Sequence, residues 1–312
     1  MARADETERK IHFYLANAGQ EESGYLVPFD PAPALGRIDS IRKDSAERRL
    51  QREDNKATYC WVDRHSAPQR ARLATIRRSD YPYVERLGDL SPLEVPEDSG
   101  LADPIHVVFF DNNIVGADYN HYGPRLGSLE HYLRHKASDA CPAMHFEMLL
   151  DPDAAERLER FRELRVLDLR VRPSDARVRE QLAEGLGGGF DANEMLGEVG
   201  EFGIVLKPEP YSRQSIPRRV LEFAKRIARA DDFTKNTSRF KVKGVDDLGN
   251  VEEIDLLSDQ LVAKKKMIKE DPRSRALAQE SAYQAIEEAH EELKDKIERA
   301  ASIYATEWSE SA

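Results

Sequence analysis

The chain has 312 residues, of which 58 are acidic and 47 are basic, so its formal net charge is −11. That length is enough for one large or two modest domains with a hydrophobic core. There is no run of about 18 apolar residues, so we expect no membrane-spanning helix. The charged start, MARADETERK, does not fit a secretory signal, and two cysteines are too few for a disulfide scaffold. These features predict a cytoplasmic protein.

The first half of the chain predicts strands, a polar helix and one hairpin. Residues 11–15 (IHFYL) are expected to form the first strand, and 37–53 a polar helix with few breakers. The clearest signal is a hairpin of strands 105–110 and 114–119, because the DNN turn between them tolerates positive φ. A helix is predicted over about 125–137, with a proline just before it.

From residue 143 onward, strands and helices alternate in the prediction. Residues 143–150 favour a strand, and the sequence DPD then begins a helix over 152–163. Residues 215–229 predict an amphipathic helix, because their apolar side chains recur at steps of three and four. A short meander over 239–268 leads to a long final helix, predicted from about 275 to 304.

This order of elements predicts the fold class. Hairpins and βα units coexist, which favours an α+β or α/β fold with a mixed sheet, flanking helices and a long C-terminal helix. We expect an N-terminal part over 1–140 that contains the central hairpin. The C-terminal part, 141–312, would hold the βα units, the meander and the long helix.

Several familiar chemical motifs fail to appear. The glycine-rich segment 185–189 (GLGGG) lacks the lysine and hydroxyl residue of a phosphate-binding loop. His131 and His135 are four residues apart, but they are not part of an H-E-x-x-H sequence. We therefore expect neither a metal nor a cofactor.

One loop has an unusual polar composition, NHYGPR, between a predicted strand and a predicted helix. A loop at a strand end presents polar groups from a rigid base, which favours a hydrolase or nuclease site there. The catalytic residues of this hypothesis are Asp118, His121, Tyr122 and Arg125. The imidazole would act as a base and the guanidinium would stabilise developing negative charge. The simpler alternative is a turn in which Asn120 caps, Gly123 relaxes φ and Pro124 starts the helix.

Charge is distributed unevenly along the chain. Residues 213–243 hold ten basic and three acidic side chains, whereas 270–312 hold eleven acidic and five basic ones. A basic patch of this kind is typical of proteins that bind a phosphate backbone. The candidate nucleic-acid-binding residues are Arg218, Arg219, Lys225, Arg226, Arg229, Lys241 and Lys243. The alternative is that this basic region pairs with the acidic tail, within or between chains.

The final helix has a second potential use. Its apolar stripe has nearly heptad spacing and comprises Ala282, Ile286, Ala289, Leu293, Ile297, Ala300 and Tyr304. Such a helix either forms a homo-oligomer or another protein interface, or docks on the chain's own sheet, which is the default.

Three segments carry a resemblance to a known family. The stretch YNHYGPR with Leu129, the strand–helix–strand piece 145–172, and the segment 254–268 before Tyr283 together resemble a bacterial family of unknown function. Such families occur in mobile elements and phage-defence islands, so the resemblance implies a bacterial setting and a defence role, without catalytic residues. We therefore expect an accessory or anti-phage defence protein that binds nucleic acid without catalysis. The alternatives are the hydrolase or nuclease above and a structural oligomer subunit.

Overall fold

The structure, a computed structural model, describes most of the chain. The described residues are 5–19, 26–51, 56–141, 144–172, 178, 182, 200–209, 216–230 and 236–310, without the side chains of 18–19, 26–28 and 304–310. The glycine-rich segment 185–189 lies outside them. None of the helices in these ranges is both long and apolar enough to cross a bilayer.

The secondary structure consists of fifteen strands and six helices in the ranges above. The strands are β1 (Glu6–Gly19), β2 (Leu26–Pro28), β3 (Leu50–Gln51), β4 (Lys56–Arg64), β5 (Gln69–Arg77), β6 (Tyr83–Arg86), β7 (Asp89–Pro92), β8 (Leu101–Phe109), β9 (Ile114–Asp118), β10 (Met144–Met148), β11 (Glu163–Val171), β12 (Phe202–Leu206), β13 (Thr237–Val245), β14 (Val251–Asp255) and β15 (Val262–Ile268). The helices are α1 (Pro31–Ser40), α2 (Leu126–Lys136), α3 (Pro152–Glu159), α4 (Arg218–Ala228), α5 (Gln279–Glu292) and α6 (Lys294–Glu310).

The chain forms two compact units, each built from two separate stretches. The first unit is Met1–His145 with Val262–Leu293, and the second is Phe146–Leu261 with Lys294–Ala312. The sequence placed everything after residue 140 in one part, whereas the structure returns 262–293 to the first unit. The return is explained by strand pairing, because β15 lies antiparallel to β1 with Glu6 opposite Ile268.

The first unit contains a large sheet with helices on both faces. Its strands follow the order β1-β9-β8-β5-β4-β3, and β15 and β2 also pair with β1; the pairs between these strands are antiparallel. Helix α5 packs on one face, where Tyr283 reaches Asp63. Helices α1 and α2 pack on the other face, against the side of β4 that carries Cys60.

The second unit has a smaller sheet with helices on one face. Its four strands follow the antiparallel order β12-β11-β13-β14. Helices α3 and α4 bury their apolar sides against this sheet in one core that includes Leu167, Val220, Phe240 and Ile254. Helix α6 packs on α3, where Arg299 pairs with Glu156.

The predicted α+β class is confirmed, as is the central hairpin. β8 and β9 pair antiparallel, and Asn112 and Asn113 in their turn have φ of 58° and 61°. Asparagine tolerates this left-handed region because its short polar side chain bonds locally.

The polar helix predicted over 37–53 is wrong. Helix α1 begins earlier, because the Asp30 side chain accepts a hydrogen bond from the Ala32 amide, and it ends at Ser40. Arg48, in a short 3-10 helix, is completely buried and donates hydrogen bonds to the carbonyls of Cys60 and Ile41. A pattern-based prediction treats arginine as exposed, so it misses this arrangement.

The long C-terminal helix is divided into α5 and α6. The break is at Leu293, whose φ of −104° and ψ of 9° depart from helical values. The predicted apolar stripe is nevertheless inside the protein. Its buried members are Ala282, Ile286, Ala289, Ile297 and Ala300. Oligomerisation through this helix stays a prediction.

Candidate functional site

Helix α4 separates apolar from basic side chains. Val220, Phe223, Ala224 and Ile227 recur at steps of three, one and three, and all are buried in the core of the second unit. Arg218, Arg219 and Arg226 are exposed on the outer side of the helix. We call these three residues the α4 arginine surface. Arg218 lies 3.6 Å from Glu222, but both side chains are exposed, so this ion pair is weak.

Two other basic residues of the helix are engaged inside the second unit. Lys225 Nζ lies 2.5 Å and Arg229 Nη2 lies 3.0 Å from the carboxylate of Glu159, at the end of α3. The side chains of Lys225 and Arg229 are only 14 % and 11 % exposed, so this pairing is well shielded from water. These two cations hold α3 and α4 together. The sequence gives no signal for their partner, because Glu159 lies 66 residues before Lys225.

Lys241 and Lys243 belong to a different surface. They alternate along β13 with Phe240 and Val242, which are buried in the core beneath α4. Successive side chains of a strand point to opposite faces, so the two lysines lie on the face away from α4. We call them the β13 lysine surface. Lys241 lies 3.6 and 3.5 Å from Glu253 and Asp255, while Lys243 is exposed. The structure therefore separates the predicted nucleic-acid-binding residues into two surfaces.

Asp118 ends β9 and is buried under α5. Its Oδ1 accepts a hydrogen bond from the His106 amide at 2.5 Å and lies 3.2 Å from His106 Nδ1. The His106 ring meets the Tyr283 ring edge-on, with centroids 5.3 Å apart. Tyr283 in turn donates its hydroxyl to Asp63 at 2.7 Å. Asp118 thus belongs to a polar network between the sheet and α5.

Asp63 also binds Arg72 in this network. Arg72 Nε and Nη2 donate to the two oxygens of Asp63 at 2.7 and 2.9 Å. Burial raises the pKa of Asp63, but hydrogen bonds from Arg72 and Tyr283 outweigh it and leave the pKa below its ordinary 3.8. Burial and the hydrogen bond to Asp63 both raise the pKa of Tyr283. The aspartate is therefore ionised at neutral pH, and the tyrosine is a neutral donor.

Arg125 lies on the opposite face of the sheet from Asp118. Its guanidinium carbon is 4.1 Å from the centre of the Tyr119 ring, and its Nη1 donates to the Asn120 carbonyl at 2.8 Å. The His12 ring also lies near the Tyr119 ring, with centroids 5.5 Å apart. His12 pairs with Ala117 across the sheet, and alternation therefore directs it away from Asp118 and α5.

His121 and Tyr122 are exposed and pack on each other. Their rings meet edge-on at 5.1 Å, and Arg275 stacks 4.0 Å from the centre of the Tyr122 ring. Neither side chain has a recorded contact with Asp118 in the part of the chain that the structure describes. The geometry does not bring the four predicted catalytic residues together, so the hydrolase hypothesis gains no support and stays a prediction.

Local sequence patterns do not reveal the network partners of these residues. His106, Asp63 and Arg72 stand at inward positions of strands, and Tyr283 faces them from a helix near the other end of the chain. One signal was available: the polar residues alternate with buried apolar ones along β5, where Arg70 and Arg72 flank Ala71. Such alternation usually indicates a strand with one solvated face, so it points to a buried network only once α5 is known to cover that face.

Within the described ranges, no group of three or more His, Cys, Asp or Glu side chains is arranged to hold a metal ion. His131 and His135 lie with ring centroids 4.2 Å apart on α2. Burial raises the pKa of the Cys60 thiol to about 12 and that of Cys141 to about 11. Both cysteines are therefore neutral at physiological pH, which disfavours a nucleophilic role.

No protein-family model matches the chain, and no curated protein is significantly similar to it in sequence.

Proposed function

We propose that the chain is a non-catalytic protein that binds nucleic acid through the α4 arginine surface. The observation that carries this proposal is the exposure of Arg218, Arg219 and Arg226 along one side of a helix that is anchored in a core on its other side. Arginines presented by a rigid helix can contact successive phosphates, and the release of counterions then drives binding.

This proposal is narrower than the basic patch expected from the sequence. Lys225 and Arg229 share Glu159, so their role is to fix α4 on α3. The β13 lysine surface lies on the other face of the sheet, and Lys241 is close to two carboxylates there. It therefore provides a matched control with the same sign of charge in the same unit.

The setting of this activity also belongs to the proposal. The resemblance to a bacterial family of mobile elements and defence islands supports an accessory role in anti-phage defence, in the cytoplasm. Recognition of a phosphate backbone without sequence preference suits such a role, because invading nucleic acids differ in sequence.

The test is a binding titration with labelled duplex DNA, single-stranded DNA and RNA. We expect the double variant Arg219→Gln/Arg226→Gln to bind at least about tenfold more weakly to every sequence of the preferred class. The slope of log K against log salt should fall by about 1–2, because each lost phosphate contact removes about 0.7–0.9. Fluorescence anisotropy over a range of salt concentrations measures both quantities.

The control is Lys241→Gln/Lys243→Gln, which should retain the affinity and salt slope of the wild type. Binding that survives in the arginine variant, or is lost equally in the lysine variant, would assign the interaction to another surface. A wild-type protein that binds none of the three nucleic acids would refute the proposal.

A further inference from the structure

Arginines under α5 show how this protein satisfies buried guanidinium groups. Arg72 donates hydrogen bonds to Asp63 through Nε and Nη2. Arg70 donates to Glu287 through the same two nitrogens, and both of these bonds are 2.9 Å long. These two donors lie side by side on one edge of the guanidinium group, which matches the spacing of two oxygens of a carboxylate or phosphate. In both arginines this edge is occupied by an acid of the same unit.

In Arg125, the edge of the guanidinium group that carries Nε and Nη2 is not bound to an acid. The residue is only 5 % exposed, and Nη1 is satisfied by backbone carbonyls that include Asn120 at 2.8 Å. Nε and Nη2, however, are buried without a hydrogen-bond acceptor anywhere in the described part of the chain. A buried charge without a counter-charge strongly destabilises a protein, so this edge is chemically incomplete.

The surroundings of Arg125 are positively charged. Burial, followed by the charges of Lys10 and Arg125, lowers the pKa of His12 to about 4. His12 is 7 % exposed, and neither of its ring nitrogens has a hydrogen-bond partner among the described residues. Lys10 is exposed and stands directly opposite Lys264 across the β1–β15 pair. Asp118 points to the other face of the sheet, so it does not compensate the charge of Arg125.

We propose that Arg125 anchors a binding site for a small oxyanion of the phosphate class, beside the amino end of α2. Its paired Nε and Nη2 donors would hold two oxygens of the anion. Arg125 is the N-cap residue of α2, an 11-residue helix whose dipole favours an anion near its amino end. Lys10 contributes further positive charge. The site lies in the first unit and is independent of the α4 arginine surface.

Phosphate is favoured over a carboxylate because the local positive charge exceeds one unit. A phosphate carries more than one negative charge near neutral pH and offers oxygens beyond the pair held by the guanidinium edge. The two donors are shielded from solvent, so binding requires a local movement of the side chains that cover them. Acetate serves as the comparison, because it presents two oxygens with a single charge.

The first test is thermal unfolding of the full chain with inorganic phosphate, with chloride added to keep ionic strength constant. We expect the Tm to rise by about 2–4 °C at saturating phosphate, because a ligand that binds only the folded state stabilises it. Arg125→Lys keeps the charge but loses the paired donors, so its phosphate affinity should fall at least tenfold. Arg42→Lys, the same change at an exposed arginine that already holds Asp44, should bind phosphate as the wild type does.

The second test does not depend on how well the Arg125 variant folds. In the wild-type protein, the Nε–H resonance of Arg125 should move during a phosphate titration, whereas that of the paired Arg72 should not. A Tm that responds only to ionic strength, an unmoved Arg125 resonance, or equal affinity in Arg125→Lys would overturn the site. Acetate binding tighter than phosphate would overturn the assigned ligand class. None of these outcomes bears on nucleic-acid binding by α4, which is measured with separate variants.

Discussion

The two faces of the first unit's sheet surround their buried cations differently. Under α5, Arg70 lies against Glu280 and Glu287, and Arg72 lies against Asp63. On the opposite face, Arg125 and His12 lie near each other with backbone carbonyls and an aromatic ring for neighbours. The α5 face is thus complete in that both of its arginines are paired with carboxylates, although Asp118 Oδ2 there is buried without a hydrogen-bond partner among the described residues, whereas the Arg125 face has donors to offer. Burial alone therefore does not distinguish a structural arginine from a ligand-binding one. The distinction lies in whether an acidic side chain of the protein occupies the guanidinium group.

The largest loss of stability is expected from a substitution in the complete face, under α5. Asp63→Asn removes the charge that compensates Arg72 and weakens the acceptor for Tyr283, so the free energy of unfolding should fall by about 3 kcal/mol. Urea unfolding followed by circular dichroism measures this loss. Asp44→Asn is the control, because Arg42 binds Asp44 through the same two nitrogens on the surface, with both side chains at least 70 % exposed. It should change stability by nothing measurable. Equal effects of the two variants would mean that burial contributes nothing to the Asp63 pair.

The second prediction is that the two faces contribute to stability over different pH ranges. The folded pKa of His12 is about 4 and its ordinary value is 6.5, so between these values the unfolded chain binds more protons. Stability supplied by neutral His12 is complete above pH 6.5 and is lost as the pH falls toward 4, by about 2 kcal/mol between pH 7 and 5. His12→Gln should abolish this dependence in urea unfolding at several pH values.

Protonation of Asp63 affects stability in a lower pH range than protonation of His12. Its folded pKa lies below 3.8, so its contribution is present above that value and is lost only as the pH falls further. The difference in stability between the wild type and Asp63→Asn should therefore stay constant from pH 7 to 5 and shrink in stronger acid. A wild type whose stability is flat between pH 7 and 5 would contradict the neutral, buried His12.

The smallest effect concerns one hydrogen bond of the complete face. Tyr283→Phe removes the hydroxyl that donates to Asp63 but keeps the buried ring, so stability should fall by about 1 kcal/mol. Asp63→Asn and Tyr283→Phe share this bond, so the double variant should lose less than the sum of the two single variants. Additive losses in urea unfolding would show that the tyrosine and the aspartate act independently.

Local sequence patterns predict the elements of this protein well where neighbouring residues decide them. The hairpin turn follows from two asparagines, and helix α4 follows from its apolar spacing, since both signals lie within a few residues. The sequence also identifies Arg218, Arg219 and Arg226 as basic residues on the polar side of a helix, where the structure has them exposed.

Partners that are distant in sequence could not be predicted in this way. Arg70 meets Glu280, 210 residues further along the chain, and Tyr283 meets Asp63 across 220 residues. Local composition around Asp118 suggested a shared pocket with Arg125, but the alternation of β9 directs Asp118 toward α5, whereas Arg125 stacks on Tyr119. Counting charges likewise assigned Lys225 and Arg226 to one basic patch, although Lys225 pairs with Glu159. Only the tertiary pairing separates these roles.

The pairing of β1 with β15 has a consequence for the order of events during synthesis. Glu6 meets Ile268 in the finished sheet, so the first strand leaves the ribosome long before its neighbour exists. At about 5–20 residues per second, translation of the intervening chain takes on the order of 10–50 s. Throughout that interval one edge of β1 has no β15 to bond. A truncation near residue 272 would keep this strand pair but remove α5, so translation must run past Glu292 before the first unit can close.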